Sequence, residues 1–567
     1  MATTYEYPER LPLLASEMTE GIVDAMPIAK AWARRQLRSA LATQPSAGTI
    51  ISGPEAVQVL KEVRDHLIAR CTPIVNAYSP TRWLWYLRRT DLAIVRGYLP
   101  NTESSIVRIA ENLSGLSELP PDRDLPAIEM PLVFALDNSA FARIGRLLAI
   151  AELVNHAEGW MRRSSKNAEF LMKADDFPDL VPNDELEAAI DEFDERVAAN
   201  ASYRWHPAVS DVNSTASGLP LLTVEMLKDG VGQTPMWRGR FADKPEPFEG
   251  EGRFVFRAYS LSDQSNSEQL RGSLQAMDSP EIAASFIVMS QALMLHATLY
   301  AENLGISVPR VGYLMVMESH LIDRIDAVLA MAVERTWPAM EGYVPRNSAS
   351  VLSIVEGVAD GAEMSAPGPV LRRWRNGSLL VDVYALTIGL FDWLRMAPST
   401  GGARANATAL EFELAVQAMI DQAGAAPTDL IQEFRGKTLR LGGESITDID
   451  ALIVAGQNLI CLSCKKFELA RSYDAGDYQS VRNAKTKVDA AVLEWADRMS
   501  VLNTNRIGDN YDLSMFDKII GVVVTPELAF VDSISAVAVV ELTTNIECRR
   551  YISFGELRML VDKLTSP

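Results

Sequence analysis

The stretch at 446–467, ITDIDALIVAGQNLICLSCKKF, limits what this chain can fold into more than any other. Two apolar runs of strand length flank Gly456-Gln457-Asn458. The β-branched content of the runs and the turn chemistry of the break predict a β-hairpin. Side chains alternate along a strand. Asp448 and Asp450 therefore share a face of one arm, and Cys461, Ser463 and Lys465 share a face of the other. A Gly456-Gln457 loop sets Asp450 opposite Ser463, and a loop shifted by one residue sets it opposite Lys465. In either register an acid and a lysine meet in an otherwise apolar sheet. A buried charge is costly unless it is paired or has a task, such as holding a metal ion.

The elements around this hairpin predict an α/β unit at 407–567. Thr408-Ala-Leu-Glu411 has the form of a capping box, opening a helix whose apolar stripe is Phe412, Val416 and Met419 and whose end is Gly424. After the hairpin, 478–502 has helical spacing, with Val481, Val488, Val492 and Trp495 as its buried face. A buried strand at 518–525 and a second at 537–542 follow. A further capping box, Ser553-Phe-Gly-Glu556, opens a terminal helix. Pro398 to Asn406, PSTGGARAN, is the linker that precedes the unit.

Residues 1–397 read as a large, mostly helical region. Apolar spacing of three and four predicts helices at 15–42, 54–71, 81–113, 140–172, 282–303, 310–334 and 379–396. An acidic helix capped by Asn183 or Asp184 runs to 199. A Pro-rich connector spans 120–131, and 206–264 is an irregular insertion or a small β element. The fold class is thus α plus α/β.

Composition narrows the function. A hydrophobic content of 48% and a charged content of 23% describe a globular chain. No apolar run is long enough to span a bilayer, and the acidic start MATTYEYPERLPLL lacks the basic start and apolar core of a signal peptide. Four cysteines, Cys71, Cys461, Cys464 and Cys548, make no disulfide framework, which suits a reducing cytoplasm. The net charge is −20, and from Ala405 onward 16 basic residues stand against 23 acidic ones. Neither part is a basic domain of the kind that binds DNA irrespective of sequence.

The order of elements around Phe412-Glu413, Asp450 and Ser463-Cys464-Lys465 resembles the PD-(D/E)xK, or restriction-endonuclease-like, nuclease superfamily, over roughly the last 160 residues. The resemblance implies a Mg²⁺- or Mn²⁺-dependent nuclease with nucleic acid as partner, in bacterial or phage defence or DNA processing. It implies that Asp450 holds the metal with help from Asp448 and the Cys464 carbonyl. Lys465 assists the attacking water, and Glu413 or Glu411 is the helix acid. A metal lowers the pKa of bound water and polarises a phosphoryl group. Ser463 stands where the family has its second acid, and a hydroxyl is a poor ligand for a hard cation. Glu468, Asp474, Asp477, Asp448 or Glu444 can supply the missing carboxylate. Should none do so, the resemblance implies a catalytically degenerate module for interaction or scaffolding.

Gln479, Arg482 and Lys485 start the next helix, where they can contact phosphates. The helical region would recognise a substrate, a signal or a protein partner, or set an oligomeric state. Cys461-Leu-Ser-Cys464 spells CxxC, but residues three apart on a strand point to opposite faces, which predicts core cysteines rather than a zinc site. Trp83 and Trp85 read as packing, and the five scattered histidines form no metal-binding pattern.

Overall fold

The computed structural model describes residues 11–90, 103–120, 138–200, 210–211, 220–226, 232–238, 246–252, 254–260, 274, 277, 279–299, 308, 311–334, 340, 342–357, 369–373, 377–395, 403–426, 429, 433–467, 469, 471–543 and 545–565. Helices and small mixed sheets make it an α+β protein, and no described helix is long and apolar enough to cross a membrane.

Among the described residues, three large apolar cores run along the chain, with a small fourth cluster of Leu84, Val311, Tyr313 and Leu380. The first is helical. Here α1 (Leu11–Leu41), α2 (Gly53–Val75), α3 (Pro80–Arg89), α4 (Glu103–Gly115) and α5 (Asn138–Ser164) bury residues such as Leu60, Trp83, Trp85 and Leu148 against one another. The expected helix over 81–113 is two helices, with 91–102 outside the described residues. The expected helix over 140–172 stops at Ser164. There Asn167 takes a left-handed φ of 69°, and β2 (Glu169–Leu171) joins β1 (Ile50–Ser52) and β3 (Asp179–Leu180) in a sheet. Asn183 caps α6 (Asp184–Asn200) as expected, its Oδ1 accepting from Leu186 N at 3.1 Å. The connector over 120–131 lies almost wholly outside the described residues.

A second core is richer in strands than expected. Within 206–264 the chain forms β4 (Ser210–Asp211), β5 (Pro220–Met226), β6 (Gly232–Arg238), β7 (Glu246–Gly252) and β8 (Phe254–Ser260). Beyond α7 (Pro280–Leu299), the expected helix over 310–334 begins as a strand, β9 (Tyr313–Met317), before α8 (Glu318–Glu334). Likewise, past α9 (Ser348–Gly357) and β10 (Leu371–Arg373), the expected helix over 379–396 begins as β11 (Ser378–Asp382) before α10 (Val383–Arg395). Strands β10, β11 and β9 pair antiparallel in that order.

The third core holds the C-terminal unit. Its first helix, α11, spans Ala403–Ala423, so it begins inside the expected linker. Thr408-Ala-Leu-Glu411 is therefore interior to the helix rather than its cap. Phe412, Val416 and Ile420 are its buried stripe, and Gly424 ends it at φ 65°. Two hairpins follow, β12 (Thr438–Leu441) with β13 (Glu444–Asp448) and β14 (Ala451–Ala455) with β15 (Asn458–Cys464). After the short α12 (Arg471–Asp474) comes the long α13 (Tyr478–Thr504), which buries the four residues its spacing predicted, and then β16 (Lys518–Thr525). The chain closes with α14 (Ile534–Val537), β17 (Val539–Thr543), β18 (Ile546–Arg549), β19 (Tyr551–Ser553) and α15 (Phe554–Thr565). The expected strand over 537–542 thus starts two residues late. The central sheet runs β14-β15-β16-β19, antiparallel at its first pair and parallel at the next two. A parallel β15–β16 pair needs a crossover, and α13 supplies it.

Candidate functional site

Asp450 sits at a break between strands, where one continuous arm over 446–455 was expected. Upstream, β13 pairs with β12, and Asp448 lies opposite Thr438. Downstream, β14 pairs with β15 in the register Ala451↔Leu462 to Ala455↔Asn458, leaving Gly456-Gln457 as the two-residue loop. Gly456 adopts φ 61°, which a hairpin turn of this length demands. Burial still alternates across the break, with Thr447 and Ile449 buried, Asp448 exposed and Asp450 half-buried. The hairpin register, continued one residue past its last ladder pair, sets Asp450 level with Ser463, and its Oδ2 accepts from the backbone N–H of Cys464 at 2.7 Å.

That bond fixes the acid at the end of β15, beside Lys465. The Lys465 backbone N–H continues the strand by donating to Val524 O at 2.8 Å. Burial raises the Asp450 carboxyl above its ordinary range and Asp448 adds to this, while the Cys464 N–H and the Lys465 ammonium pull the other way. Glu413, half-buried on α11, is raised first by burial and next by the Asp450 charge. The Asp450 charge therefore reaches Glu413 and disfavours its ionisation.

Gln417, one turn along α11 from Glu413, ties the two acids together. Its Nε2 donates to Glu413 Oε1 at 2.9 Å and to the Asp450 carbonyl at 2.7 Å. Gln417 does not stand out in the sequence. Its spacing of four from Glu413 on a helix was the available signal.

The remaining predicted residues divide. Ser463 is buried within β15, in register with Val523 of β16. Cys464 is half-buried, and its thiol is held well above its ordinary value by burial and by the charges of Asp450 and Glu413. Cys461 is fully buried, with a thiol pushed up to about 12 by burial, as core cysteines should be. Among the possible donors of a missing acid, Asp477 caps α13 by accepting from Ser480 N at 2.8 Å. Asp474 acts on Arg162 of the helical region, and Glu444 lies exposed opposite Leu441. Glu468 is outside the described residues. Glu413 and Asp448 are the carboxylates that act on Asp450 or are acted on by it.

On α13, Arg482 is exposed and Gln479 donates to Asn483 Oδ1 at 2.7 Å. Lys485, expected to be open to a phosphate, is engaged in an ion pair with Asp532. Trp83 and Trp85 are fully buried.

Among the described residues, no group of three or more His, Cys, Asp and Glu side chains converges to hold a metal ion. Magnesium asks for less from a protein, because it keeps several waters and takes one or two carboxylates with substrate phosphate. Asp450 with Glu413 or Asp448 meets that smaller demand in number, and the raised carboxyls of Asp450 and Glu413 are what an added cation would relieve. Comparison with family models, curated proteins and solved structures returns no match to this chain.

Proposed function

We propose that the protein is a divalent-metal-dependent phosphodiester hydrolase that acts on nucleic acid, through a C-terminal unit resembling the PD-(D/E)xK nucleases. The observation that carries this reading is the placing of Asp450, which the Cys464 N–H holds beside Lys465 at the end of a parallel strand pair, with Glu413 linked to it through Gln417. Burial raises both carboxyls, and a cation between them would relieve that. Asp450 would hold Mg²⁺ or Mn²⁺ with Glu413 and the Cys464 carbonyl, and Asp448 would add charge at the rim. The ion, when bound, would polarise the phosphoryl group and lower the pKa of a water. Lys465 orients that water and offsets developing negative charge. Gln417 keeps Glu413 aimed at Asp450. A defence or DNA-processing role follows from the resemblance.

A second reading is a non-catalytic interaction module, favoured by the buried hydroxyl of Ser463 in place of the expected acid. One assay separates the two. The full chain is incubated with Mg²⁺ or Mn²⁺ and plasmid, linear duplex, single-stranded DNA or RNA, beside Lys465→Ala and Asp450→Asn. Cleavage that both variants abolish supports the hydrolase. No cleavage of any substrate, together with no heat of metal binding, overturns it in favour of the module.

A further inference from the structure

Away from the candidate site, the helical region carries a run of cations free of acids in the sequence. From Ala25 to Pro54 the sequence contains no Asp or Glu, yet it holds Lys30, Arg34, Arg35 and Arg38. All four lie on α1, and the three arginines are exposed. The adjacent helix α5 adds Arg143 and Arg146, both half-buried. The two helices pack closely: Gly145 lies where an added Cβ would stand 3.4 Å from Ala29 Cβ.

These arginines lack carboxylate partners. Elsewhere, described arginines are commonly matched to acids, as in Arg435–Asp421, Arg196–Glu556 and Arg549–Glu192. Among the described residues, none of Arg34, Arg35, Arg38, Arg143 and Arg146 forms a salt bridge. Arg143 instead donates to Tyr78 Oη and Ser139 Oγ, both at 2.8 Å. Arg146 stands over the half-buried Trp32 ring at 5.8 Å. Glu152, 3.8 Å from Lys30 and in the field of Arg34, is the acid that faces this surface. Arg38, in the last turn of α1, also complements the helix dipole, but that explains one arginine of five.

We propose that the exposed arginine face of α1 is a docking surface for nucleic acid, an inference resting on the reading that the chain's substrate is a polynucleotide. Arg34 and Arg38 share one face of α1, with Arg35 beside them. From Lys30 to Arg38 the helix rises about 12 Å, a span that meets several charges of a duplex carrying one per roughly 1.7 Å. Guanidinium groups match phosphate in fork geometry. The chain's overall net charge of −20 repels a polyanion, so a local cationic face also sets the direction of approach.

The test measures binding without cleavage. Fluorescence anisotropy with a labelled 30-base-pair duplex, in EDTA, compares full-length Lys465→Ala with the same protein carrying Arg34→Ala, Arg35→Ala and Arg38→Ala, and with one carrying Arg146→Gln. The triple variant is expected to bind at least 10-fold more weakly, with a log–log salt slope smaller by about 2 to 3 and unchanged thermal unfolding. Arg146→Gln, at the Trp32 side of α1, is expected to leave binding within 2-fold of the parent. Duplex affinity within 2-fold of the parent in a folded triple variant overturns the proposal. So does preference for anionic phospholipid vesicles or a poly-glutamate peptide over the duplex. Because no metal is present, a failure here leaves the hydrolase reading standing, and loss of cleavage with intact binding does the reverse.

Discussion

At the scale of single residues, the site is governed by two carboxyls that hold their protons too well. Asp450 and Glu413 are both raised, first by burial. The sign is opposite to that of a salt-bridged acid. Between the unfolded and folded values the folded chain binds more protons, so stability falls as pH rises through that window. Ionised at neutral pH, the pair costs stability. Asp450→Asn and Glu413→Gln are each expected to raise the thermal midpoint at pH 7 by a few °C. At about pH 3, below the ordinary carboxyl range, they should change it little. Calorimetry at the two pH values checks this, and an equal shift at both would show that charge is not the cause. Added Mg²⁺ is expected to raise the parent's midpoint by preferential binding to the folded form, and to do nothing for Asp450→Asn. The sequence made Asp450 and Lys465 legible, because a charge amid β-branched residues stands out. It hid how Asp450 is held. The Cys464 N–H that grips it is backbone, and backbone donors leave no letter in a sequence.

At the scale of elements, an aromatic contact ties the crossover helix to both the hairpin and the next strand. Trp495 of α13 lies over Gly521 of β16, and its indole Nε1 donates to the Cys461 carbonyl at 3.0 Å on the neighbouring strand. A Cβ at Gly521 would stand 2.8 Å from Trp495 Cδ1 and 2.5 Å from Met499 Cγ. Gly521→Ala should therefore overpack this layer and cost about 1–3 kcal/mol, read as a lowered midpoint in denaturant or heat. At the far end, Ser553 and Glu556 form a reciprocal cap. Ser553 N donates to Glu556 Oε2 at 2.9 Å, and Glu556 N donates to Ser553 Oγ at 3.2 Å. Ser553→Ala is expected to cost about 1 kcal/mol, and Ser553→Thr much less. That cap was readable because its letters match its chemistry. The similar letters at Thr408-Ala-Leu-Glu411 misled, since α11 had already begun at Ala403. Strands β9 and β11 were unreadable for another reason. Every position of β11 is buried, so no alternation survives, and each strand runs directly into a helix of similar composition.

At the scale of the whole molecule, the helical region is joined to the C-terminal unit by charge as well as by packing. Arg196 of α6 grips Glu556 with two bonds, at 2.7 and 3.0 Å, and also donates to the Tyr551 carbonyl at 2.9 Å. Arg549 pairs with Glu192 at 2.7 Å, and the Lys166 ammonium lies between the Phe193 and Phe530 rings at 4.4 and 5.0 Å. None of this was visible in the sequence, where the partners stand hundreds of positions apart. Arg196 is the informative residue, because Glu556 already caps α15 and Tyr551 belongs to the edge strand β19. Arg196→Ala removes a forked pair that is largely shielded from water and leaves Glu556 half-buried beside it. Hydrogen bonds to charged groups contribute about 1.5–3 kcal/mol, so the loss should uncouple the two parts rather than unfold either. Calorimetry of the parent is expected to show the C-terminal unit unfolding together with the helical region. The variant should show it melting earlier, as a separate transition, with the Arg549–Glu192 pair as the salt-sensitive link that remains. A variant that still unfolds in one transition at the parent's midpoint would mean that apolar contacts such as Phe193 on Phe530 couple the two parts without the arginine.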